Sequence, residues 1–387
     1  MPKPDSTTEL TREALKAALD LAMRATSTKG SLPILGNVCL RNQHQAGTLT
    51  ITGTNLEIAI TASVSGRVQA DWDCTIPAKV FTDAVNSLTT DDVILEYHQR
   101  RHAVVVRAAT CEFTLKGTDA QEFPAVTPLT TAPLASFVAL TMLEELERVK
   151  PAMAEDEARP ALCGVHFSST GDGPLMLEAA DGFHVHQSAI SGFWPKCDFV
   201  VPGKAIAELC RMLKTDEEAT LRLSTTTEGK ATRAEFSCGT VTLACNLIDQ
   251  PFPDLHAVIP TNNATTAKFS RGQMDASFKA ADVVGREVAH TVRLNLKAAS
   301  KETDQSLLEI TATSTDYEHR NTLSGALDGP PLLIAVNGTF ISDAVKACPG
   351  ERVFIGLTAP TSPILIKSAD AEQHPFLAVM MPMMIGR

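Results

Sequence analysis

The nearest approach to a metal motif in this 387-residue chain is His184-Val185-His186, two imidazoles on one face of an expected strand. A zinc site needs at least a third protein ligand, and none stands nearby in sequence. Both histidines therefore read as satisfied or solvent-facing groups, and no metal or other cofactor is expected. Two acidic runs, Asp91-Asp92 and Asp216-Glu217-Glu218, could in principle pair as general acid and base. Each follows the second helix of a repeat, which reads as a solvated turn instead. The nine cysteines are scattered without a C-x-x-C pair, as reduced, buried thiols of a cytoplasmic protein would be. No Gly-x-Gly-x-x-Gly, P-loop or Gly-x-Ser-x-Gly motif is present. The chemistry-bearing residues describe a scaffold, not an enzyme.

The elements that carry these residues recur three times. Pro124, Pro253 and Pro382 are each 129 residues apart, in Glu122-Phe123-Pro124, Pro251-Phe252-Pro253 and Met380-Met381-Pro382. About 45 residues before each proline stands a short apolar strand, a turn and an amphipathic helix. Its apolar face reads Phe81, Ala84, Val85, Leu88, then Ile206, Leu209, Cys210, Leu213, then Ile341, Ala344, Val345, Cys348. Each third also opens on a helix: Thr11 is the expected N-cap of the first, before Leu15, Ala18, Leu19, Ala22 and Met23. Thr141-x-x-Glu144 and Ser270-x-x-Gln273 read as capping boxes for the other two. Alternating segments such as Gly47-Thr48-Leu49-Thr50-Ile51-Thr52 predict half-buried strands between the helices. The expected fold is α+β: three repeated domains, each with two helices on a mainly antiparallel sheet. Their expected limits are residues 1–130, 131–263 and 264–387, with polar junctions near 127–135 and 261–266.

Composition bounds the function further. A hydrophobic content of 44% can fill two or three cores. No stretch reaches the ~20 apolar residues of a membrane span, and Met1-Pro2-Lys3-Pro4-Asp5-Ser6 lacks an apolar signal core and reads as a disordered lead-in. An aromatic content of 5% argues against stacking platforms for single strands. The net charge of −11 constrains only the total, leaving room for a basic lining within an acidic body.

Ser31-Leu32-Pro33-Ile34-Leu35-Gly36-Asn37 and Gly53-Thr54-Asn55-Leu56-Glu57 resemble the opening signature of the bacterial DNA polymerase III beta subunit, the sliding clamp family. Ala180-Asp181-Gly182, Val201-Pro202-Gly203-Lys204, Phe252-Pro253-Asp254 and Met381-Pro382-Met383 extend the resemblance in order along essentially the whole chain. It implies a DNA clamp fold in which each chain supplies half of a ring. Two chains would join head to tail as a homodimer, enclosing double-stranded DNA without reading its sequence. The helices would line the hole, and the clamp would tether the replicative polymerase as a non-catalytic processivity factor in the cytoplasm, with no membrane partner.

Three sets of site residues follow from the resemblance. DNA-facing cations would be Lys16, Arg24, Lys29, Lys79, Arg148, Lys150, Lys204, Arg211, Lys214, Arg271, Lys279 and Lys346, each also readable as an ordinary solvated helix residue. Lys29 corresponds to a basic position that touches DNA in relatives, whereas another such position falls on Asp156, inside an acidic run. A docking pocket for short peptides of the polymerase, the clamp loader and repair proteins would use Leu162, Ala180, Gly182, Phe183, His184, Val185, Pro253, Ala257, Val258, Val379, Met381, Pro382, Met383, Met384 and Ile385. Met381 and Met383 suit either that groove or simple core filling at a terminal strand. Relatives usually carry His-Arg where this chain has Phe183-His184, and often Arg at Ala257, so two donors shrink to one imidazole and the preferred peptides should be more apolar or differently spaced. The ring contact would set Phe113 against Val283 and Val284 of the second chain. Phe113 lies in an alternating strand that fits an edge pairing across subunits or an internal core. A specialised clamp paralogue of repair, plasmid or phage, acting as an interaction platform, is the alternative. A metal enzyme using His184 and His186 is more distant.

Overall fold

The computed structural model describes residues 4–28, 32–298, 306–370 and 374–384. They form two compact units, residues 1–140 with 207–247, and residues 141–206 with 248–387. Six helices are present among them: α1 (Arg12–Arg24), α2 (Ala78–Ser87), α3 (Ala139–Val149), α4 (Gly203–Met212), α5 (Arg271–Gly285) and α6 (Gly338–Ala347).

In the first unit, a five-stranded sheet runs in the order Arg67–Val68, Ser6–Thr11, Asp92–His98, Ala103–Ala108, Cys111–Lys116. An eight-stranded sheet follows Ala135–Val138, Glu218–Thr225, Ala231–Cys238, Val241–Asn246, Ile58–Ser65, Thr48–Thr54, Asn37–Gln43, Trp72–Pro77. Leu15, Leu19 and Ala22 of α1 and Phe81 and Val85 of α2 close a core with Leu49, Ile51, Leu95, Val104 and Val106. The second unit holds one twelve-stranded sheet, Cys197–Pro202, Gly164–Ser169, Gly173–Ala180, His184–Trp194, Leu377–Met380, Ile364–Ser368, Arg352–Leu357, Thr265–Ser270, Glu318–Asp328, Ser306–Thr313, Thr291–Lys297, Leu332–Asn337. There Met274, Phe278 and Ala281 of α5 and Ile341, Ala344 and Val345 of α6 pack with Leu294, Leu308, Ile310 and Ile355. Burying one such phenylalanine is worth about 2–3 kcal/mol, so the helical spacing seen in the sequence translates directly into core.

The two units do not coincide with the three repeats because strand pairing crosses the repeat boundaries. Val241–Asn246 pairs antiparallel with Ile58–Ser65, setting Cys245 opposite Ile58, Ala244 opposite Ala59, Leu243 opposite Ile60 and Thr242 opposite Thr61. Leu377–Met380 pairs in the same way with the hairpin strand His184–Trp194, with Met380 opposite His184, Val379 opposite Val185, Ala378 opposite His186 and Leu377 opposite Gln187. The hairpin turns that start the accepting strands are also alike. Asn55 Oδ1 accepts the N–H groups of Glu57 and Ile58, and Asp181 Oδ1 accepts those of Phe183 and His184. In the third hairpin Ser314 Oγ accepts from Tyr317. Thr54–Ala59, Ala180–Val185 and Thr313–Glu318 are the first cross-strand pairs after each turn.

Two expected capping boxes take a different form. Strand Ala135–Val138 runs straight into α3 at Ala139, so Thr141 lies inside the helix and caps nothing. Ser270 does stand at the N-cap of α5, but its side chain makes no capping bond. What starts these helices is a backbone contact made three times: Arg12 N–H donates to Asp91 O at 2.7 Å, Ala139 N–H to Glu217 O at 3.0 Å and Arg271 N–H to Glu351 O at 2.7 Å. The acidic runs are thus turns that hold helix N-termini, and Asp91 Oδ1 adds a bond from Glu13 N–H. Thr11 caps α1 as expected, accepting from Ala14 N–H.

Arginines close the opposite ends. Arg12 Nη1 donates to Leu88 O at the end of α2 (3.0 Å), and Arg271 Nη1 to Cys348 O at the end of α6 (3.3 Å). Arg12→Ala is expected to lower the unfolding free energy by about 1–3 kcal/mol, the worth of a hydrogen bond from a charged donor. Lys16→Ala on the exposed face of the same helix should change it by less than about 0.5 kcal/mol. Urea unfolding followed by circular dichroism checks both.

Candidate functional site

Leu162, Ala180, Val185 and Val379, four of the expected docking residues, meet in the second unit with Leu255 and Leu365 in one small buried cluster. Phe252, Ile259, Phe354 and Leu377 pack around it. Its roof is open and apolar: Phe183 is 62% exposed, Val258 44%, Met381 47% and Met384 91%. Pro253 and Ala257 are exposed as well, and Pro382 and Met383 half-buried. Backbone bonds fix this surface. Met381 N–H donates to Phe183 O at 2.8 Å, and Met383 N–H to Ala335 O at 2.8 Å. Thr291 Oγ1 also donates to Met383 Sδ, so Met383 is packed where Met381 is presented. Gly182 sits at φ +93°, a conformation that favours glycine, and the mobile end of the Arg159 side chain occupies the space where a Cβ would stand. Ile385 lies outside the described residues.

His184 does not offer the donor that the sequence suggested. It is 3% exposed, stacked on Phe340 with ring centroids 4.0 Å apart, and its Nε2 faces Pro151 O at 3.3 Å. Burial alone would raise the neighbouring Asp181, but the nearby His184 ring and the Phe183 and His184 N–H groups outweigh it and hold this carboxyl below the usual range. His186 is fully buried, and its Nδ1–H donates to Arg148 O at 2.7 Å. Neither ring is placed as a metal ligand, and no group of three metal-capable side chains gathers among the described residues.

The expected DNA-facing cations divide into two kinds. Lys16, Arg24, Lys79, Lys204, Arg211, Lys214, Lys279 and Lys346 are exposed. Arg211 pairs with Glu208, and Lys279 with Asp275 at 2.6 Å. Lys150 is half-buried and pairs with Glu147 at 2.6 Å. Arg148 and Arg271 are corrections: their guanidinium groups serve the C-terminal end of α6. Arg148 donates to Ala347 O at 2.6 Å and pairs with the buried Glu145 at 3.3 Å. Each guanidinium keeps its charge but is held at that helix end by the carbonyl it binds. Lys29 lies outside the described residues. The six helices together carry ten Lys and Arg against ten Asp and Glu, so none of the chain's net −11 resides on them.

Phe113 lies half-buried on Cys111–Lys116, the outer strand of its sheet, with its ring against the core of the first unit. Val283 is 59% exposed, whereas Val284 is 9% exposed and belongs to the core of the second unit, which removes it as a surface contact. Sequence reasoning missed the Asp181 turn that shapes the Phe183 loop. Its signal was the like placement of Asn55-Leu56-Glu57 and Asp181-Gly182-Phe183 in successive repeats.

Residues 8–127, 139–254 and 256–384 match, in order, the N-terminal, central and C-terminal domain families of the DNA polymerase III beta subunit. The chain belongs to that family. It is 28% identical to the beta sliding clamp of Haemophilus influenzae over 380 residues, covering 97% of this chain and 98% of the relative. The beta sliding clamp of Pseudomonas aeruginosa is also 28% identical, over 96% of this chain and 98% of its own length. The crystal structure of the Pseudomonas aeruginosa beta subunit superimposes with a TM-score of 0.88 at 25% identity, covering 98% of this chain and all of that one. A sliding clamp of the same organism bound to griselimycin gives a TM-score of 0.87 at 25% identity, with the same coverage. No helix among the described residues of this beta-family chain is long and apolar enough to cross a membrane.

Burial lowers the His186 imidazole to about 4 from an ordinary 6.5. The unfolded chain therefore takes up the proton first as pH falls, and stability present above pH 6.5 is lost on the way to pH 4, by up to about 3 kcal/mol. Urea midpoints at pH 7 and pH 5 should diverge for the native protein and less so for His186→Gln, which keeps a donor for Arg148 O. Equal divergence would remove His186 as the cause.

Proposed function

We propose that this chain is a replicative sliding clamp: two copies close head to tail around duplex DNA and hold the polymerase there, with no catalytic step of their own, in the cytoplasm. The three clamp domains are residues 1–130, 131–263 and 264–387. The plain beta sliding clamp names of the relatives favour this general role over a specialised paralogue.

The observation that carries the head-to-tail reading is the register repeated at both internal junctions. Each uses the last strand of one hairpin (Val241–Asn246, Leu377–Met380) and the first residues after a tight turn (Ile58–Thr61, His184–Gln187). One strand of each kind remains. Cys111–Lys116 follows its hairpin as Val241–Asn246 does, with Ala108–Cys111 matching Cys238–Val241. Glu318–Asn321 follows the third turn and, among the described residues, is paired on one side only. Joining them between two copies in the same register sets Glu318 opposite Thr114, His319 opposite Phe113 and Arg320 opposite Glu112. Charge supports that match. Glu96, Arg107 and Glu112 form an alternating ladder ending in a carboxylate, and Lys297, Glu309 and Arg320 form one ending in a guanidinium. Tyr317, 59% exposed in the single chain, would be covered beside Leu115. Phe113 and Val283 are proposed as apolar contacts of the same interface.

DNA would meet Lys16, Arg24, Lys79, Lys204, Arg211, Lys214, Lys279 and Lys346, with Lys150 beside them, while Arg148 and Arg271 are left to their helix-end carbonyls. The groove over Leu162, Ala180, Val185 and Val379, edged by Gly182, Phe183, Pro253, Ala257, Val258, Met381, Pro382 and Met384, would take short apolar segments of the polymerase, the clamp loader and repair proteins. Met383 and His184 support its wall.

Light scattering should give twice the chain mass of 41.4 kDa. Glu112→Arg or Arg320→Glu alone should weaken dimerisation about tenfold, and the two together should recover part of the loss, since each new charge also faces Arg107 or Glu309 of its own chain. A double variant no better than either single one would sink the register. On DNA, the loaded protein should stay on nicked circles and be lost once they are linearised. Retention on linear duplex with free ends would argue against topological holding.

A further inference from the structure

One row of side chains crosses four strands of the second unit and ends at the groove. His166 stands opposite Glu178, Glu178 opposite Gln187, and Gln187 opposite Leu377, which packs against the groove cluster. The first member of the row is gripped from both sides. His166 Nδ1 lies 3.0 Å from Glu178 Oε2, and its Nε2 lies 3.1 Å from Asp198 Oδ1 on the outermost strand, Cys197–Pro202. A neutral imidazole has one N–H and would turn a bare lone pair to the other carboxylate. The geometry is therefore that of an imidazolium donating twice. The remaining oxygen of Glu178 accepts from Gln187 Nε2 at 3.0 Å. Burial alone would lower His166, but the bonds and charges of Glu178 and Asp198 outweigh it and hold the imidazole above its ordinary 6.5. Those two carboxylates are the charged groups that face the ring from the neighbouring strands. The segment packed on its face brings Phe252, stacked at 4.6 Å between ring centroids.

We propose that His166 is a positioning residue of the docking groove: the imidazolium held between Glu178 and Asp198 keeps Phe252 in place, and partner segments dock less tightly once its proton is lost. The inference rests on the docking reading above and adds a regulating group to it. Phe252 is the link. Its ring packs both on His166 and on the buried cluster of Leu162, Leu255 and Val379. Pro251 and Pro253 flank it and restrict its backbone. Where the ring goes, the exposed Pro253 edge and the buried Leu255 must follow. An aromatic face attracts a cation lying on it, and a neutral imidazole forfeits that attraction. Loss of the proton also removes one of two N–H donors and leaves Glu178 or Asp198 facing a lone pair. Because the folded loop holds this proton more tightly than an unfolded one, the ordered groove is favoured at lower pH. It is lost as pH rises through the His166 titration.

Histidine NMR and fluorescence anisotropy on the full-length protein test this together. The probe is a labelled peptide with leucine and phenylalanine anchors, blocked ends and no group that titrates near neutral pH. His166 should titrate above 6.5, and peptide affinity should fall at least about fivefold across the same midpoint, the low end of coupling between two sites. Asp198→Asn, at a position whose side chain is 84% exposed, should lower both midpoints together without disturbing packing. It leaves His184 and His256, the other imidazoles near the groove, unchanged, so a shared shift assigns the effect to His166. His166→Gln keeps a donor for Glu178 but cannot ionise, and should bind weakly at every pH. A His166 midpoint at or below 6.5, an affinity that ignores pH, or a docking midpoint that stays put when Asp198→Asn moves that of His166 overturns the inference and leaves the groove intact. If the peptide binds at no pH, the docking reading is wrong and this inference falls with it.

Discussion

Main-chain pairing at strand edges is the constraint on which this molecule depends. Each repeat is a set of hairpins whose outer strands carry unpaired N–H and C=O groups, and an edge of that kind is stable only when covered, charged or paired. Two junctions within the chain satisfy it by joining one repeat to the next in a single register, Cys245 opposite Ile58 and Met380 opposite His184. The tight turns that begin the accepting strands then acquire a second role. Asp181 fixes the Phe183 loop by two N–H bonds, and that loop lines a neighbouring cavity and accepts Met381 N–H at Phe183 O. The proposed binding surface is a by-product of how repeats are joined.

Helix placement obeys a related economy. The N-terminus of α1, α3 and α5 each leans on the carbonyl of the turn after the second helix of its repeat. In the first and third repeats an arginine at the start of one helix closes the end of the other. Such bonds join the two helices of a repeat end to end before any apolar contact is counted. Of the ten basic and ten acidic residues on the helices, seven basic and four acidic are exposed, a modest basic excess. Phosphate attraction along them would be weak and spread out, which suits holding without gripping.

Much of the fold was legible because it is periodic. The faces of α2, α4 and α6 stood out at helical spacing, and all twelve of the apolar residues assigned to them are buried. The threefold repeat was visible from the prolines and their neighbours. Capping was less legible: Thr141 and Glu144 have the right types and spacing, but α3 begins two residues before Thr141, at Ala139, and Val138 in front of it has no side-chain acceptor. Arg148 resembled a surface cation because its acceptor, Ala347 O, is 199 residues away. His184 resembled a pocket donor for a similar reason, since Phe340, which covers it, comes from a distant helix. Val284 lay one residue from the exposed Val283, and a single step around α5 moves a side chain from surface to core. Local pattern fixes which face is buried, while the fate of a polar side chain depends on partners that the local pattern does not contain.

The two unpaired strands have a further consequence, for solubility rather than function. A single chain exposes Cys111–Lys116 on one unit and the start of Glu318–Asp328 on the other, and open edges of this kind can recruit any extended peptide. Along the outward side of the first stand Glu112, Thr114 and Lys116, and along that of the second Glu318, Arg320 and Thr322, all exposed. A foreign strand without the matching order of charges must bury at least one of them unpaired, which acts as a gatekeeper against misassembly. The same side chains that would admit a matching strand therefore guard a newly made chain until one arrives.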